Sequence, residues 1–211
     1  MSGILDLLNS DFGKQIASGI SNQTGADQSK TNDVLSMALP VLTGAMQRNA
    51  STPEGAAGLL GALSGKHDGS VLDNLDGFFG GGVDDEVLTD GSGILGHVLG
   101  AKQNNVQNAL SKKSGLDSGT ISQILTIAAP LLLGYLGKQT KQNKINSQND
   151  LGNLFNGLQS GNSPGQEQSF IESILDADGD GNVIDDVADM VLGAGKKKGG
   201  LGGLLGGFFK K

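Results

Sequence analysis

Asp176, Asp178 and Asp180 stand at alternate positions of a stretch that continues Gly181-Asn182-Val183-Ile184-Asp185-Asp186. Carboxylates this close repel one another unless a cation offsets their charge, so the pattern points to a bound metal ion. Calcium is a hard cation that takes six to eight oxygens. An EF-hand loop supplies side chains at positions 1, 3 and 5, a carbonyl at 7 and a bidentate carboxylate at 12, with glycine at 6 for the sharp turn. Numbered from Asp176, the aspartates fill 1, 3 and 5, Gly181 fills 6, Asn182 offers its carbonyl at 7, and Val183 at 8 faces the core. The end of the loop departs from that pattern. Position 12 is Val187 and position 9 is Ile184, while Asp185 and Asp186 fall at 10 and 11. One helical residue is about 100° of rotation, so Asp186 closes the site only with an earlier helix start or a distorted loop. The expected ligands of this EF-hand or dockerin-like site are therefore Asp176, Asp178, Asp180, Asn182, Asp185 and Asp186, with calcium as the ion. The competing reading is an acidic, glycine-rich turn that caps the next helix.

Other chemistry is thin. His67 and His97 are the two histidines, and each reads as a solvated side chain in a polar turn or on a short helix. The glycine run Gly80 to Gly82 is not followed by a Lys-Ser/Thr pair, so a phosphate loop is not supported. No Ser/His/Asp spacing stands out, and an enzyme is not expected. Two looser Asp-Gly turns, Asp68-Gly69-Ser70-Val71-Leu72 and Asp90-Gly91-Ser92-Gly93-Ile94, put Lys66 and Leu88 at position 3 of the loop and read as structural turns. Val71 and Val183 are expected to pair as short extended segments, as in coupled EF-hands.

The elements that must carry such a loop are helical. Ser10 can cap a helix with Phe12, Ile16 and Ile20 on one face, and Gly25 is a plausible stop. Asp27 opens a second helix, apolar on nearly every side, with Pro40 inside it as an expected kink. Ser51-Thr52-Pro53-Glu54 is a strong start for a short helix ending near Gly65. The plan then repeats. Gly25, Val34, Leu35, Ala38, Pro40, Leu42 and Gly44 return 90 positions later as Gly115, Ile124, Leu125, Ala128, Pro130, Leu132 and Gly134. The expected fold class is all-α: a duplicated helical bundle with proline-kinked buried helices and an EF-hand-like loop near the C-terminus. Its expected divisions are a first repeat over 1–79, a flexible glycine-rich joint over 80–92, a second repeat over 93–193 holding the loop 176–186, and a Gly/Leu/Lys-rich tail over 194–211.

The doubled helix with Pro40 and Pro130, the Asp68-Gly69-Ser70-Val71-Leu72-Asp73-Asn74 turn and the Gly-Leu tail resemble the YidB-like bacterial family of unknown function numbered 937. The resemblance covers most of residues 1–193. It implies an all-helical bacterial protein and brings no catalytic residues with it.

Composition sets the remaining bounds. Glycine makes up 36 of 211 residues, well above the usual ~7 %, and with no Trp and one Tyr the core must be aliphatic. Cysteine is absent, which excludes disulfides and thiolate sites. The formal charge is −7, and residues 196–211 hold five lysines and no acid, so the body is more acidic still. An acidic body argues against nucleic-acid binding. The apolar stretch Ile124 to Leu136 is shorter than the roughly 20 residues of a bilayer span and reads as a buried helix. The tail, with Lys196 to Lys198 and Lys210-Lys211 around Leu and Phe, suits an anionic membrane surface, docking on the helical body, or self-association. With no basic-then-apolar leader at the N-terminus, the default location is cytoplasmic, although a cell-surface or extracellular setting suits a weak calcium site better. The expectation is a non-enzymatic calcium-binding protein acting in binding or assembly, with a protein partner or a second copy. The alternative is a membrane-surface protein that uses its tail.

Overall fold

The computed structural model describes residues 4–159. Among these the protein is all-helical, with no strand. The helices are α1 (Ile4–Asn9), α2 (Asp11–Thr24), α3 (Gln28–Asn49), α4 (Pro53–Ser64), α5 (Leu75–Phe79), α6 (Asp85–Leu99), α7 (Gln103–Ser114), α8 (Ser118–Gln142) and α9 (Gln148–Gln159). Two 3-10 turns, Ser70–Asn74 and Gly100–Lys102, link them.

The starts and stops are set by side chains that satisfy orphan backbone groups. Ser10 Oγ accepts the Gly13 N–H at 3.1 Å, Asp27 accepts from Ser29 and Lys30, and Thr52 accepts from Gly55 with Pro53 in the first helical position. Gly25 ends α2 in the left-handed region at φ 68°, and Gly115 ends α7 at φ 69°. The turns after these two helices are built from the same bonds. Ser21 Oγ donates to Ala26 O at 2.7 Å, and Ser111 Oγ to Leu116 O at 2.6 Å. Thr24 and Ser114 each donate to the carbonyl four residues back at 2.8 Å, and Asp27 and Asp117 each cap the next helix. Both α3 and α8 then run unbroken through Pro40 and Pro130.

α8 lies at the centre. Ile121, Ile124, Leu125, Ala129 and Leu136 are fully buried, and α2, α3, α4, α6, α7 and the first 3-10 turn all pack on it. It is long and apolar enough to cross a bilayer, yet 72 % of its most apolar window is buried within the bundle, as expected of a core helix. Close backbone approaches are made at glycine. A methyl group at Gly91 of α6 would overlap the Thr126 carbonyl, and one at Gly137 of α8 would overlap the His67 carbonyl. Thr126 is the residue whose carbonyl Pro130, four residues on, cannot satisfy with an N–H.

Three expectations change here. Asp90-Gly91-Ser92-Gly93 is the interior of α6 rather than a turn, because Leu88, Gly91, Leu95 and Leu99 recur at helical spacing on the face toward the core. Val71 lies within the 3-10 turn Ser70–Asn74 rather than in an extended segment: Gly69, at φ 101°, and the Asp68 carboxylate, which accepts the Ser70 N–H at 3.0 Å, turn the chain there. Between α5 and α6 the linker runs only from Gly80 to Asp84, and Gln23 fastens both of its ends. The Gln23 amide donates to Phe79 O at 3.1 Å and accepts from Val83 N at 3.2 Å. The calcium-type loop 176–186 and the tail lie outside the described residues.

Gly91→Ala is expected to cost about 3 kcal/mol, because the added carbon meets backbone that cannot swing aside. Gly96→Ala, on the same helix but with nothing within 4 Å of the new carbon, should instead gain about 0.5–1 kcal/mol from helix propensity. Denaturant midpoints of the two variants read the contrast directly.

Candidate functional site

The expected metal ligands Asp176, Asp178, Asp180, Asn182, Asp185 and Asp186 all fall outside the described residues. Among the described residues, no group of three or more His, Asp or Glu side chains is placed to hold a metal ion. What the bundle does form is a groove of about 690 Å³ between α4 and α6. Its floor is apolar: Met46 from α3, Leu133 from α8, Leu59 from α4, and Ile94 and Val98 from α6. Lys66, His67, Glu86, Asp90 and His97 supply the titratable groups. Both histidines of the chain therefore meet in one groove.

Backbone constraints place His67 and Asp90. α4 ends at Ser64, and the His67 N–H reaches back to Ala62 O at 3.0 Å, folding the chain down onto α8. Gly137, which has no side chain, lets the His67 backbone lie against α8. Gly91 does the same for α6, and Asp90 is its neighbour. His67 Nε2 consequently sits 3.6 Å from Asp90 Oδ2, while Lys66 Nζ donates to Asp90 Oδ1 at 2.9 Å. Asn49 of α3 secures the far end of α6 by donating to the carbonyls of His97 and Val98 at 3.2 and 3.4 Å.

His67 is only 8 % exposed. Burial pushes its pKa below the ordinary value, against the opposing pull of Asp90. The imidazole is therefore held neutral near pH 7, one ring nitrogen facing the carboxylate. On the other side of the 3-10 turn, Asp68 and Asp73 pair with Lys141 and Lys138 of α8 at 3.3 and 3.1 Å. The Ser70 backbone N–H, then the Ser70 hydroxyl and Lys141, hold the Asp68 carboxyl down at about 2. These exposed ion pairs link the turn to α8 but add little stability of their own.

Sequence reasoning treated His67 and His97 as separate solvated side chains. The His67–Asp90 pair joins a turn to a helix interior, and no local spacing announces it. The signal that would have found it is a pair of glycines, Gly91 and Gly137, each placed where another backbone closes on α8.

An all-helical bundle wrapped around one proline-bearing core helix, with a groove on one flank, is the class these features define. The sequence profile of the bacterial family of proteins of unknown function, DUF937, matches residues 6–139, more than half of the chain, and the protein belongs to that family. The matched span holds the whole groove and stops short of α9 and the calcium-type loop. No curated protein and no solved structure matches the chain.

The lowered His67 pKa fixes the sign of one pH effect. Below about 6.5 the unfolded chain takes up a proton that the folded imidazole refuses, so this contribution to stability falls as pH drops through that value. The melting midpoint should decline between about pH 7 and 5, and His67→Gln should flatten that segment. Asp68 acts lower and in its own way: its folded pKa is depressed, so its contribution is present above about pH 4 and is lost as pH falls toward about 2. Asp68→Asn should make the acid limb of the midpoint-against-pH curve shallower there.

Proposed function

We propose that this protein is a non-enzymatic helical module that acts in binding or assembly and takes up calcium through Asp176, Asp178, Asp180, Asn182 and one or both of Asp185 and Asp186. The observation that carries the calcium part is the alternation of three aspartates with Gly181 in register. Their mutual repulsion favours a bound cation, and oxygen-only donors of this kind suit calcium over softer metals. The YidB-like, duplicated character of the helical body belongs to the same reading. It is supported by the identical hydrogen bonds of the α2–α3 and α7–α8 turns and by the prolines at the same place in α3 and α8. The binding part is supported by the groove, whose floor is apolar and in which Lys66 and His67 both face Asp90.

Calcium should raise the melting midpoint by mass action, by the equivalent of about 2.7 kcal/mol at a hundred times the dissociation constant. Asp178→Ala combined with Asp180→Ala should abolish the rise. A wild-type midpoint unmoved by millimolar calcium would sink the calcium reading.

A second reading, membrane-surface binding, draws on Lys196 to Lys198 and Lys210-Lys211 flanking Leu and Phe. Such a segment combines apolar insertion with attraction to anionic lipid. Cosedimentation with phosphatidylserine vesicles should then occur at low salt and weaken at high salt. Equal pelleting with neutral phosphatidylcholine vesicles would argue against it.

A further inference from the structure

The walls of the α4–α6 groove are made partly of bare backbone. Gly55 and Gly58 of α4 and Gly93 of α6 line it, and a carbon added at Gly58 or Gly93 would meet nothing within 4 Å. Its floor is aliphatic, and among the described residues lining it Glu86 and Asp90 of α6 outnumber the one lysine, Lys66. An occupant that fits must come close with a slim backbone, bring bulky apolar side chains, and carry positive charge.

One segment of this chain has all three properties: Gly199-Gly200-Leu201-Gly202-Gly203-Leu204-Leu205-Gly206-Gly207-Phe208-Phe209-Lys210-Lys211. We propose that this segment is the occupant of the groove, with its Leu and Phe side chains on the floor of Met46, Leu59, Ile94 and Leu133 and its lysines toward Glu86. The proposal rests on the reading of the protein as a binding module and names what the module holds. Glycine on both sides permits an approach that Cβ atoms would block.

The covalent connection makes the fit reachable. α9 ends at Gln159, whose amide donates to Gln47 Oε1 at 2.7 Å, and Gln47 follows the groove residue Met46 in α3. From there to Leu201 the chain has 42 residues, enough to span up to about 140 Å when extended. A body of this size has a radius of gyration of only about 15 Å. A tether of this length sets an effective concentration near the millimolar range, so even a weak apolar contact is largely filled from within. A free partner of the same chemistry would have to exceed that concentration to compete.

The absence of cysteine gives a direct test in the full chain. Gly93→Cys paired with Leu205→Cys places one thiol in the groove wall and one on the segment. Lys30→Cys, exposed near the start of α3, paired with Leu205→Cys serves as the reference. Under mild oxidation the groove pair should close an intramolecular disulfide at least about tenfold faster than the reference, a ratio set by local against averaged effective concentration. Equal rates overturn the proposal, and so does a product made mainly of disulfide-linked dimers, which assigns the groove to a second copy. Nile red, a neutral apolar dye, separates the two levels of the argument. Replacing Leu204, Leu205, Phe208 and Phe209 by serine in the full chain should increase dye uptake, and adding Gly93→Phe should remove the increase. Dye uptake that is equal with and without the serines but sensitive to Gly93→Phe overturns the occupant and keeps the groove as a binding site. Dye uptake insensitive to Gly93→Phe overturns both.

Discussion

Pro130 has no N–H to offer the carbonyl of Thr126, and α6 brings Gly91 against that same oxygen. Much of the remaining geometry depends on this contact. A helix interior is normally sealed by its own bonds, so a neighbour meets side chains first. Here the seal is open at one carbonyl and the neighbour has no side chain, so the two backbones meet. That approach fixes the height and rotation of α6, and with them the place of Asp90. Gly137, further along α8, admits the His67 backbone in the same way. The 3.6 Å separation of His67 and Asp90 is therefore set by two backbone contacts with α8 rather than by the pair's own attraction.

The two proline-bearing helices share their lead-in bonds but sit in different surroundings. Gly44 of α3 has nothing within 4 Å of where a side chain would begin, whereas its counterpart Gly134 in α8 is covered by Val71 and Leu72. Ser36, four residues before Pro40, is half-buried and bonds to Asp33 O at 2.8 Å, while Thr126 lies inside. One helix is the axle of the bundle and the other is part of its casing. Burying a Leu or Ile fully is worth roughly 1.5–3 kcal/mol, so the long run of buried aliphatics in α8 accounts for its central role.

Much of this was legible in the residues themselves. Ser10, Asp27 and Thr52-Pro53 announce helix starts because a side-chain oxygen must meet free N–H groups, and Gly25 announces a stop because the left-handed turn favours glycine. The apolar stretch Ile124 to Leu136 announces α8 as a buried helix. What stayed hidden depends on contacts distant in sequence. Gly91 and Gly93 read locally as a turn, and only the packing of Leu95 and Leu99 on the core makes them helical. Gly80 to Gly82 reads as a loose joint until Gln23, some 60 positions earlier, is seen to hold both of its ends. The His67–Asp90 pair was hidden for the same reason. The candidate calcium ligands, read from spacing alone, lie beyond residue 159, outside the described residues.

The central place of α8 also governs how the protein is made. Synthesis runs from the N-terminus at about 5–20 residues per second. The helices that enclose α8, namely α2, α3, α4, α6 and α7, all precede it in the chain. For several seconds of translation their apolar faces have no axle to close upon, and among the described helices the ribosome delivers the longest and most buried one last but one. Until α8 is made, the faces of the earlier helices that pack on it stay uncovered, so the centre of the bundle closes late in synthesis.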